Sequence, residues 1–234
     1  MTAEPDSRAA FDAYASAYDT ALARGLAVSG EDKGYFIHGR IAWLSDCLRG
    51  IDGAFRQVLD FGCGTGATVP YFLELLGIDS MTGVDISADS LAIANKTHGT
   101  SRARFLQFHE YQPDEREDLV YCNGVFHHIP PTQREVVVAF ARRSLRPGGV
   151  FSFWENNPWN PGARLVMSRI PFDRDAIMIS ALQARKLLKS CGFEILRTDF
   201  LFIFPRSLSF LRCLERRLSP LPLGAQYHIL CRRS

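Results

Sequence analysis

The chain has 234 residues with 27 basic and 25 acidic side chains, a formal net charge of +2, and 47% of its residues are hydrophobic. This balance excludes an intrinsically disordered chain, because such chains have too few apolar residues to offset the entropy of ordering. A net charge so close to zero also gives little attraction for phosphates, so we expect no nucleic-acid partner. The length predicts one large domain, with or without a small lid.

The apolar runs of the sequence are short. The run at 200–204, for example, is far below the roughly 18 to 20 residues that span a bilayer. The first ten residues, MTAEPDSRAA, are polar and unlike a secretory signal. We therefore expect a cytoplasmic protein without integral membrane contact.

The six cysteines are spread along the chain without a C-x-x-C pair or a histidine at metal-ligand spacing. We expect reduced, mostly buried thiols. The same spacing argument predicts no bound metal.

The predicted elements change character along the chain. Residues 1–50 have apolar positions at helical spacing, which predicts two helices before the first strand. From Gln57 onward, short apolar runs alternate with amphipathic stretches, which is typical of a parallel sheet flanked by helices. We predict strands at 57–61, 81–85, 104–108, 118–122, 149–155, 194–203 and 226–232. We predict helices at 66–76, 88–97, 132–145 and 181–191.

The end of the chain predicts one reversed strand. A long connection, 204–224, precedes the final strand, and no helix-length segment follows it. The last strand therefore most easily pairs antiparallel with the strand before it. Within the connection, residues 205–218 carry Phe and Leu at helical spacing with arginines elsewhere. This pattern fits a helix packed on its own domain, a cap on a pocket, or an amphipathic contact with an anionic membrane.

The strongest motif is Val58-Leu-Asp-Phe-Gly-Cys-Gly-Thr-Gly66, in which a buried strand runs into glycines that precede a helix. Glycines at such a turn let the chain bend sharply and let a ligand approach the backbone. The spacing also satisfies the dinucleotide-binding pattern, with Ala67 in its last place. The loop alone therefore leaves the ligand open.

Two acidic residues narrow the choice of ligand. Asp60 lies two residues before the first glycine, where dinucleotide-binding folds usually have an apolar residue. Asp85 ends the next predicted strand, 19 residues after Gly66, and is followed by Ile86. A carboxylate there can accept both hydroxyls of a ribose, with Ile86 against one adenine face.

The chain resembles the class I S-adenosylmethionine-dependent methyltransferases. The resemblance rests on four segments in family order: the glycine loop, Gly83-Val-Asp-Ile-Ser87, Asp118-Leu-Val-Tyr-Cys-Asn-Gly-Val-Phe-His-His-Ile-Pro130 and Leu145-Arg-Pro-Gly-Gly149. It covers roughly 55–232, and 155–175 is similar to a bacterial subgroup that acts on small molecules.

The resemblance implies an α/β fold. It is a Rossmann-like, mostly parallel sheet of seven strands in the order 3-2-1-4-5-7-6, with strand 7 antiparallel and helices on both faces. Residues 1–50 are then an N-terminal helical lid and 51–234 the methyltransferase domain. Within that domain, 156–180 and 204–224 are expected to be insertions on the acceptor side.

The resemblance also implies S-adenosyl-L-methionine as cofactor. Arg40 resembles the arginine that pairs with the cofactor's carboxylate in some relatives, a task that suits a forked cation. His109 stands where relatives often have an acidic residue near the adenine, and a neutral imidazole can accept there. The implied cofactor-binding residues are Tyr18, Arg40, Asp60, Gly62, Cys63, Gly64, Gly66, Asp85, Ile86, His109 and Asn123.

Three residues are candidates for the catalytic side of the site. His127 and His128 follow the fourth strand and Glu155 ends the fifth, so all three are expected at the acceptor end. Methyl transfer from a sulfonium needs mainly orientation and water exclusion, and a general base only when the acceptor requires one. The histidines can provide that base, position the acceptor, or have a structural role.

We therefore predict methyl transfer to an oxygen, nitrogen or carbon of a small, partly apolar metabolite. Two alternatives remain open. One is a peripheral membrane enzyme with a lipid-linked acceptor, which would use 205–218. The other is a non-catalytic subunit that binds the cofactor. The sequence leaves the oligomeric state open.

Overall fold

The computed structural model describes residues 18–173 and 176–234. Its seven strands form one sheet in the order β3-β2-β1-β4-β5-β7-β6. The strands β1 to β5 run parallel, and β7 pairs antiparallel with both β5 and β6. The predicted fold class is confirmed. The strands are β1 Gln57–Phe61, β2 Ser80–Asp85, β3 Ala103–Gln107, β4 Glu117–Asn123, β5 Leu145–Asn156, β6 Phe193–Leu201 and β7 Gln226–Arg233.

Helices lie on both faces of this sheet. They are α1 Tyr18–Leu26, α2 Lys33–Leu48, α3 Val69–Tyr71 continued by a π-helix at Phe72–Leu76, α4 Ala88–His98, α5 Arg134–Ser144, α6 Pro161–Arg169, α7 Ala181–Ser190 and α8 Glu215–Leu218. Short 3₁₀ turns occupy Ala27–Ser29, Phe126–His128, Pro131–Gln133, Pro171–Asp173 and Arg206–Leu214.

The core consists of two apolar clusters, one on each face of the sheet. Successive residues of a strand point to opposite faces and so belong to different clusters. Leu59 of β1 belongs to one cluster with residues of α5 and α7, while Val58 belongs to the other with residues of α2 and α4. This alternation follows from the two-residue period of a strand. Because Ile41 and Leu44 of α2 are fully buried in the second cluster, α2 is a layer of the fold. The division into lid and domain stays a prediction.

Two predicted helices differ from the structure. The helix predicted at 66–76 begins at Val69, because Gly66 has a φ of 73°, which is not helical. The segment 205–218 is not one α-helix but a 3₁₀ stretch, interrupted at Leu208 and followed by α8. Serines within the stretch favour local hydrogen bonds over a continuous helix. The side chain of Glu215 accepts from the backbone N–H groups of Ile203 and Phe204 and fixes the start of this segment.

The remaining boundaries agree closely with the predictions. Ser87 and Ser180 cap α4 and α7 by accepting a backbone N–H each, as their positions predict. β5 begins at Leu145, four residues earlier than predicted, and its pairing with β4 shifts register between Glu117 and Leu119. Within the described ranges, none of the helices has the length and apolar character needed to cross a membrane.

A buried tyrosine anchors the chain that enters α7. The hydroxyl of Tyr227 in β7 donates to the carbonyl of Ile179 at 2.8 Å, and both residues are buried. We predict that Tyr227→Phe lowers the free energy of unfolding by about 1 to 3 kcal/mol, because it leaves a buried carbonyl without its donor. Urea denaturation measures this change in the free energy of unfolding, provided that the variant and the wild type have the same m-value. Unaltered stability would show that this hydrogen bond does not anchor the segment.

Candidate active site

A cavity of about 590 Å³ opens at the carboxyl ends of the parallel strands. Its wall includes the loop after β1, the last residue of β2, Asn123 of β4 and Asn156 of β5. This is the edge at which open α/β sheets bind ligands. The opposite wall comes from α1, α6 and the segment 202–205. The cavity therefore lies between the sheet and the segments predicted as lid and insertions.

Two glycines of the loop are required for different reasons. Gly62 has a φ of 75°, and a Cβ there would lie 2.3 Å from a methyl carbon of Val125, so packing excludes any side chain. Gly64 has a φ of 52° and lines the cavity, and a Cβ there would meet no described atom within 4 Å. The open space beside Gly64 is a cradle that a ligand can fill against the backbone. Cys63 and Gly66 lie behind this surface, outside the described cavity wall.

Asp85 connects the loop to the second strand. One carboxylate oxygen accepts from the N–H of Gly64 at 2.8 Å, and the other accepts from the N–H of Ser87 at 2.9 Å. These bonds fix the carboxylate at the cavity wall, with Ile86 beside it. The site thus has a rigid acceptor where the sequence predicts the ribose contact.

Asp60 is buried behind the loop, outside the described cavity wall. The hydroxyl of Thr68 donates to its carboxylate at 2.5 Å. Burial raises the pKa of Asp60 to about 7, although the hydrogen bond from Thr68 and the charge of Arg40 oppose the rise. This hydrogen bond joins the end of β1 to the residue before α3, and a role of Asp60 in binding the cofactor stays a prediction.

Arg40 reaches the cavity from α2 and is 6% exposed. Its Nε donates to the hydroxyl of Tyr121 and one terminal nitrogen donates to Gln226, both at 3.0 Å. Among the described residues no carboxylate lies within ion-pair distance of its guanidinium. A buried cation held only by neutral partners fits an anionic group of a ligand.

The other predicted cofactor-binding residues, Asn123, His109 and Tyr18, differ in their positions relative to the cavity. Asn123 lines the cavity, and its buried Oδ1 has no hydrogen-bond partner in the described part of the chain. His109 is exposed and lies outside the described cavity wall, where Phe108 is present instead. Tyr18 begins α1, but its side chain lies outside the described residues. The roles of all three stay predictions.

His127 lies between two carboxylates. Its Nδ1 is 2.7 Å from Oε2 of Glu155 and its Nε2 is 3.4 Å from Oδ1 of Asp173. Burial lowers the pKa of His127, but the two carboxylates outweigh burial and raise the pKa to about 10. The raised pKa favours the doubly protonated imidazole near neutral pH, and a role of His127 as general base stays a prediction.

Glu155 is buried and both of its oxygens have partners. Oε1 accepts from the backbone N–H of Phe126 at 2.7 Å, while Oε2 faces His127. It lies behind His127, outside the described cavity wall. Glu155 therefore orients the turn after β4, and a direct role toward the acceptor stays a prediction.

His128 and Asp173 share the polar end of the cavity. Nε2 of His128 is 3.3 Å from Oδ1 of Asp173, the same oxygen that faces His127. Burial raises the pKa of Asp173, but the two histidines outweigh burial and hold the pKa below its ordinary value. Of the two histidines, His128 is the more exposed to the cavity.

Sequence reasoning missed Asp173, Tyr121 and Gln226. Asp173 lies on the irregular insertion after β5, where no periodic pattern marks which side chain turns inward. Tyr121 and Gln226 are strand residues whose contact with Arg40 depends on sheet order and helix placement. Only the position of Gln226 at the start of a strand could have indicated a place at the sheet edge.

An aromatic group covers one side of the cavity. The rings of Tyr35, Phe36 and Phe202 contact each other edge to face, with centroids 4.9 to 6.0 Å apart. Phe202 has a φ of 62°, which is unfavourable for a side chain of this size. The guanidinium of Arg212 lies 4.6 Å from the ring of Tyr35 and pairs with Glu31 at 2.9 Å. Glu31 and the first turns of α2 are thus joined to the segment after β6.

Comparison with known proteins places this site in context. Residues 59–151 match the family model described as a methyltransferase domain. A trans-aconitate 2-methyltransferase of Rhizobium etli is 32% identical over 32% of this chain and 29% of its own length. A fatty-acid O-methyltransferase of Mycolicibacterium smegmatis is 28% identical over 44% of this chain and 38% of its own length. The matched regions thus span less than two fifths of these relatives.

Solved structures resemble the chain over more of its length. A methyltransferase from Thermotoga maritima, described as a possible histamine N-methyltransferase, covers 98% of this chain and all of its own, at 22% identity and a TM-score of 0.66. A SAM-dependent methyltransferase from Archaeoglobus fulgidus covers 82% of this chain and 94% of its own, at 16% identity and a TM-score of 0.61. At these identities the likeness shows the fold alone.

The raised pKa of Asp60 predicts a pH-dependent stability. In the folded protein the pKa of Asp60, about 7, exceeds the ordinary value that applies to the unfolded chain. The folded state therefore favours the protonated carboxyl, and this contribution to the free energy of unfolding is lost as the pH rises toward 7. Relative to Asp60→Asn, the wild type should lose up to about 1.4 kcal/mol of unfolding free energy per pH unit between about pH 4 and 7. Urea unfolding of both proteins without ligand, from about pH 5 to 8, measures this difference. A difference independent of pH would contradict the assignment.

Proposed function

We propose that this chain, which carries a methyltransferase domain in the class I S-adenosylmethionine-dependent methyltransferase fold, transfers a methyl group to a small, partly apolar acceptor. One observation carries the proposal. A single cavity joins the glycine loop and Asp85 at one end to His128 and Asp173 at the other. A cofactor and an acceptor bound there would lie next to each other, as direct transfer requires.

The cofactor end fits S-adenosylmethionine in three respects. The open face of Gly64 admits a ligand against the backbone, and Asp85 is fixed where it can accept from ribose hydroxyls. Arg40 supplies a buried positive charge for the carboxylate of the methionine part. The unpartnered Oδ1 of Asn123 can accept from the amino group of the same part. Ile86 and Phe108 offer apolar surfaces for the adenine.

The acceptor end is mostly apolar. Leu22 and Leu26 of α1, Val166 of α6, Ile170 and Phe202 line it, and its polar side chains include His128 and Asp173. An acceptor with an apolar body and one polar group matches this distribution. Of the acceptors named for the two relatives, the fatty acid has an apolar body with one carboxylate, whereas trans-aconitate carries three carboxylates and has little apolar surface.

The cofactor, when bound, supplies a methyl group already activated on a sulfonium. The protein then has to align the acceptor atom with that methyl group and exclude water. The apolar walls exclude water, while His128 and Asp173 hold the polar group of the acceptor. In this proposal Glu155 and His127 position His128, and His128 is the residue that touches the acceptor.

Exposed apolar residues favour a lipid-linked acceptor as a second candidate. Phe210 is 72% exposed, and Leu208 and Leu214 of the same segment are also exposed, with Arg216 and Arg217 close in sequence. Such a surface can contact an anionic membrane. Sedimentation with anionic and neutral vesicles distinguishes the two candidates, because binding to the anionic vesicles alone would support the lipid-linked acceptor.

Transfer of a labelled methyl group tests the proposal. The purified protein is incubated with methyl-labelled S-adenosylmethionine and, separately, with organic acids, fatty acids, aromatic amines and a metabolite extract. We expect label in a small acceptor, and none with Gly64→Val, whose side chain fills the cofactor cradle. Tight binding of S-adenosylhomocysteine without any transfer would overturn the proposal in favour of a non-catalytic binding subunit.

The role of Arg40 predicts a difference between two ligands. S-adenosylhomocysteine has a carboxylate, whereas 5′-methylthioadenosine lacks the amino-acid part. Arg40→Gln should weaken binding of the first by about 10-fold or more, as for a hydrogen bond to a charged group, and leave binding of the second nearly unchanged. Calorimetry measures both, with Arg216→Gln as the matched control, because Arg216 is exposed and pairs with Asp46.

The assigned contact of Asp85 with the ribose predicts that both ligands are affected, unlike the result expected for Arg40. Asp85→Asn should weaken both ligands by about 10-fold or more, because both contain the ribose. Equal losses for both ligands in Arg40→Gln, or a loss for only one in Asp85→Asn, would contradict the assigned contacts. Circular dichroism confirms that each variant is folded.

A further inference from the structure

We propose that His127, His128 and Asp173 form a binding site for a divalent transition-metal ion at the acceptor end of the cavity. The three candidate ligand atoms are the Nε2 atoms of the two histidines and a carboxylate oxygen of Asp173, and they all lie within 4.8 Å of one another. All three residues line the cavity. The spacing argument predicts no bound metal because it considers neighbours in sequence, whereas Asp173 is far from the histidines along the chain.

The distances match a metal's coordination shell. A zinc ion binds imidazole nitrogen and carboxylate oxygen at about 2.0 to 2.2 Å, so neighbouring ligand atoms of a tetrahedral shell lie about 3.3 to 3.6 Å apart. Oδ1 of Asp173 is 3.4 Å from Nε2 of His127 and 3.3 Å from Nε2 of His128. An ion can therefore bind Asp173 and either histidine with little movement of the carboxylate, and the two histidine nitrogens need only be drawn to ligand spacing from within 4.8 Å.

The surroundings of His127 are those of a metal ligand. Oε2 of Glu155 accepts at 2.7 Å from Nδ1 of His127, which leaves Nε2 with its lone pair when an ion replaces the second proton. Metal-binding histidines commonly donate their other N–H to a carboxylate in this way. The backbone N–H of Phe126 holds the second oxygen of Glu155 in turn.

Backbone contacts hold the three ligands together. Arg134 donates to the carbonyls of Phe126 and Ile129, on the turn with both histidines, and to the carbonyl of Ile177, next to the segment that carries Asp173. The N–H of Ile177 donates to the carbonyl of His127 at 2.8 Å. The turn and the insertion are thus fixed against each other, which pre-organises the site.

The chemistry of the ligands selects the class of ion. Two imidazoles and one carboxylate favour Zn²⁺, Fe²⁺ or Co²⁺ over Mg²⁺ and Ca²⁺, which prefer oxygen ligands only. Glu155 and Asp173 with two neutral imidazoles have a charge of −2, which a divalent ion balances. Three protein ligands also leave coordination positions open toward the cavity. On the proposed function, an oxygen atom of the acceptor would occupy one of them.

A second cluster in the described residues, Cys47, Asp199 and His228, provides a control. Both oxygens of Asp199 already accept from Arg197, at 2.5 and 2.8 Å, and that guanidinium would repel a metal ion. Cys47→Ala therefore removes a possible ligand of the other cluster without altering the proposed site.

Cobalt binding tests the site without cofactor or acceptor. Protein freed of metal by a chelator is titrated with Co²⁺ and followed by visible absorption, with Zn²⁺ and Mg²⁺ as competitors. We expect one Co²⁺ per chain, displaced by Zn²⁺ and not by Mg²⁺. Asp173→Ala and His128→Ala should each weaken binding by more than about 100-fold, because even residues outside the first shell contribute about 10- to 100-fold. Cys47→Ala should bind like the wild type.

The outcomes separate this proposal from the proposed function. Absence of Co²⁺ binding to the folded wild type, unchanged binding in folded Asp173→Ala, or a loss confined to Cys47→Ala would each overturn the metal site. Binding of S-adenosylhomocysteine and methyl transfer by the same chelator-treated protein would then leave the proposed function intact. Glu155→Gln gives an independent check, since loss of the carboxylate that orients His127 should weaken Co²⁺ binding by about 10- to 100-fold.

Discussion

The buried carboxylate of Glu155 organises the acceptor end of the cavity. It lies at the end of β5 and accepts from the backbone of Phe126 and from the ring of His127, so the turn after β4 is tied to the neighbouring strand. His128 follows on the same turn, and Asp173 contacts both histidines. Removing one partner of such a buried charged contact is costly, because the other charge then lacks compensation. The position of His127, and through it the contact with Asp173, therefore depends on Glu155.

The cofactor end is held by different contacts. Asp85 fixes the glycine loop through Gly64, while Arg40 is held from the opposite side by Tyr121 and Gln226. None of these contacts involves Glu155 or the insertion after β5. Within the described residues the two groups of contacts share the cavity and no hydrogen bond given above, so a substitution at one end is expected to leave the other in place.

The sheet, the glycine loop and Asp85 could be predicted because each has a local signature in the sequence. Buried strands are continuous apolar runs, and a strand followed by spaced glycines and a second strand ending in an acid has few structural interpretations. Asp173 and the partners of Arg40 could not be predicted, because long-range packing places them. Residues 205–218, whose apolar residues recur at helical spacing, form a 3₁₀ stretch followed by α8 instead of one α-helix, and periodicity alone does not distinguish the two.

The insertion that carries Asp173 connects β5 to α7 and contributes no strand to the sheet. The region matched by the methyltransferase family model, 59–151, ends before this insertion begins. The cavity wall is therefore divided between the matched region, which includes Gly64 and Asp85, and an insertion outside it, which supplies Val166, Ile170 and Asp173. Substitutions in the insertion would alter the shape and charge of the cavity and leave the glycine loop and the strand pairing in place.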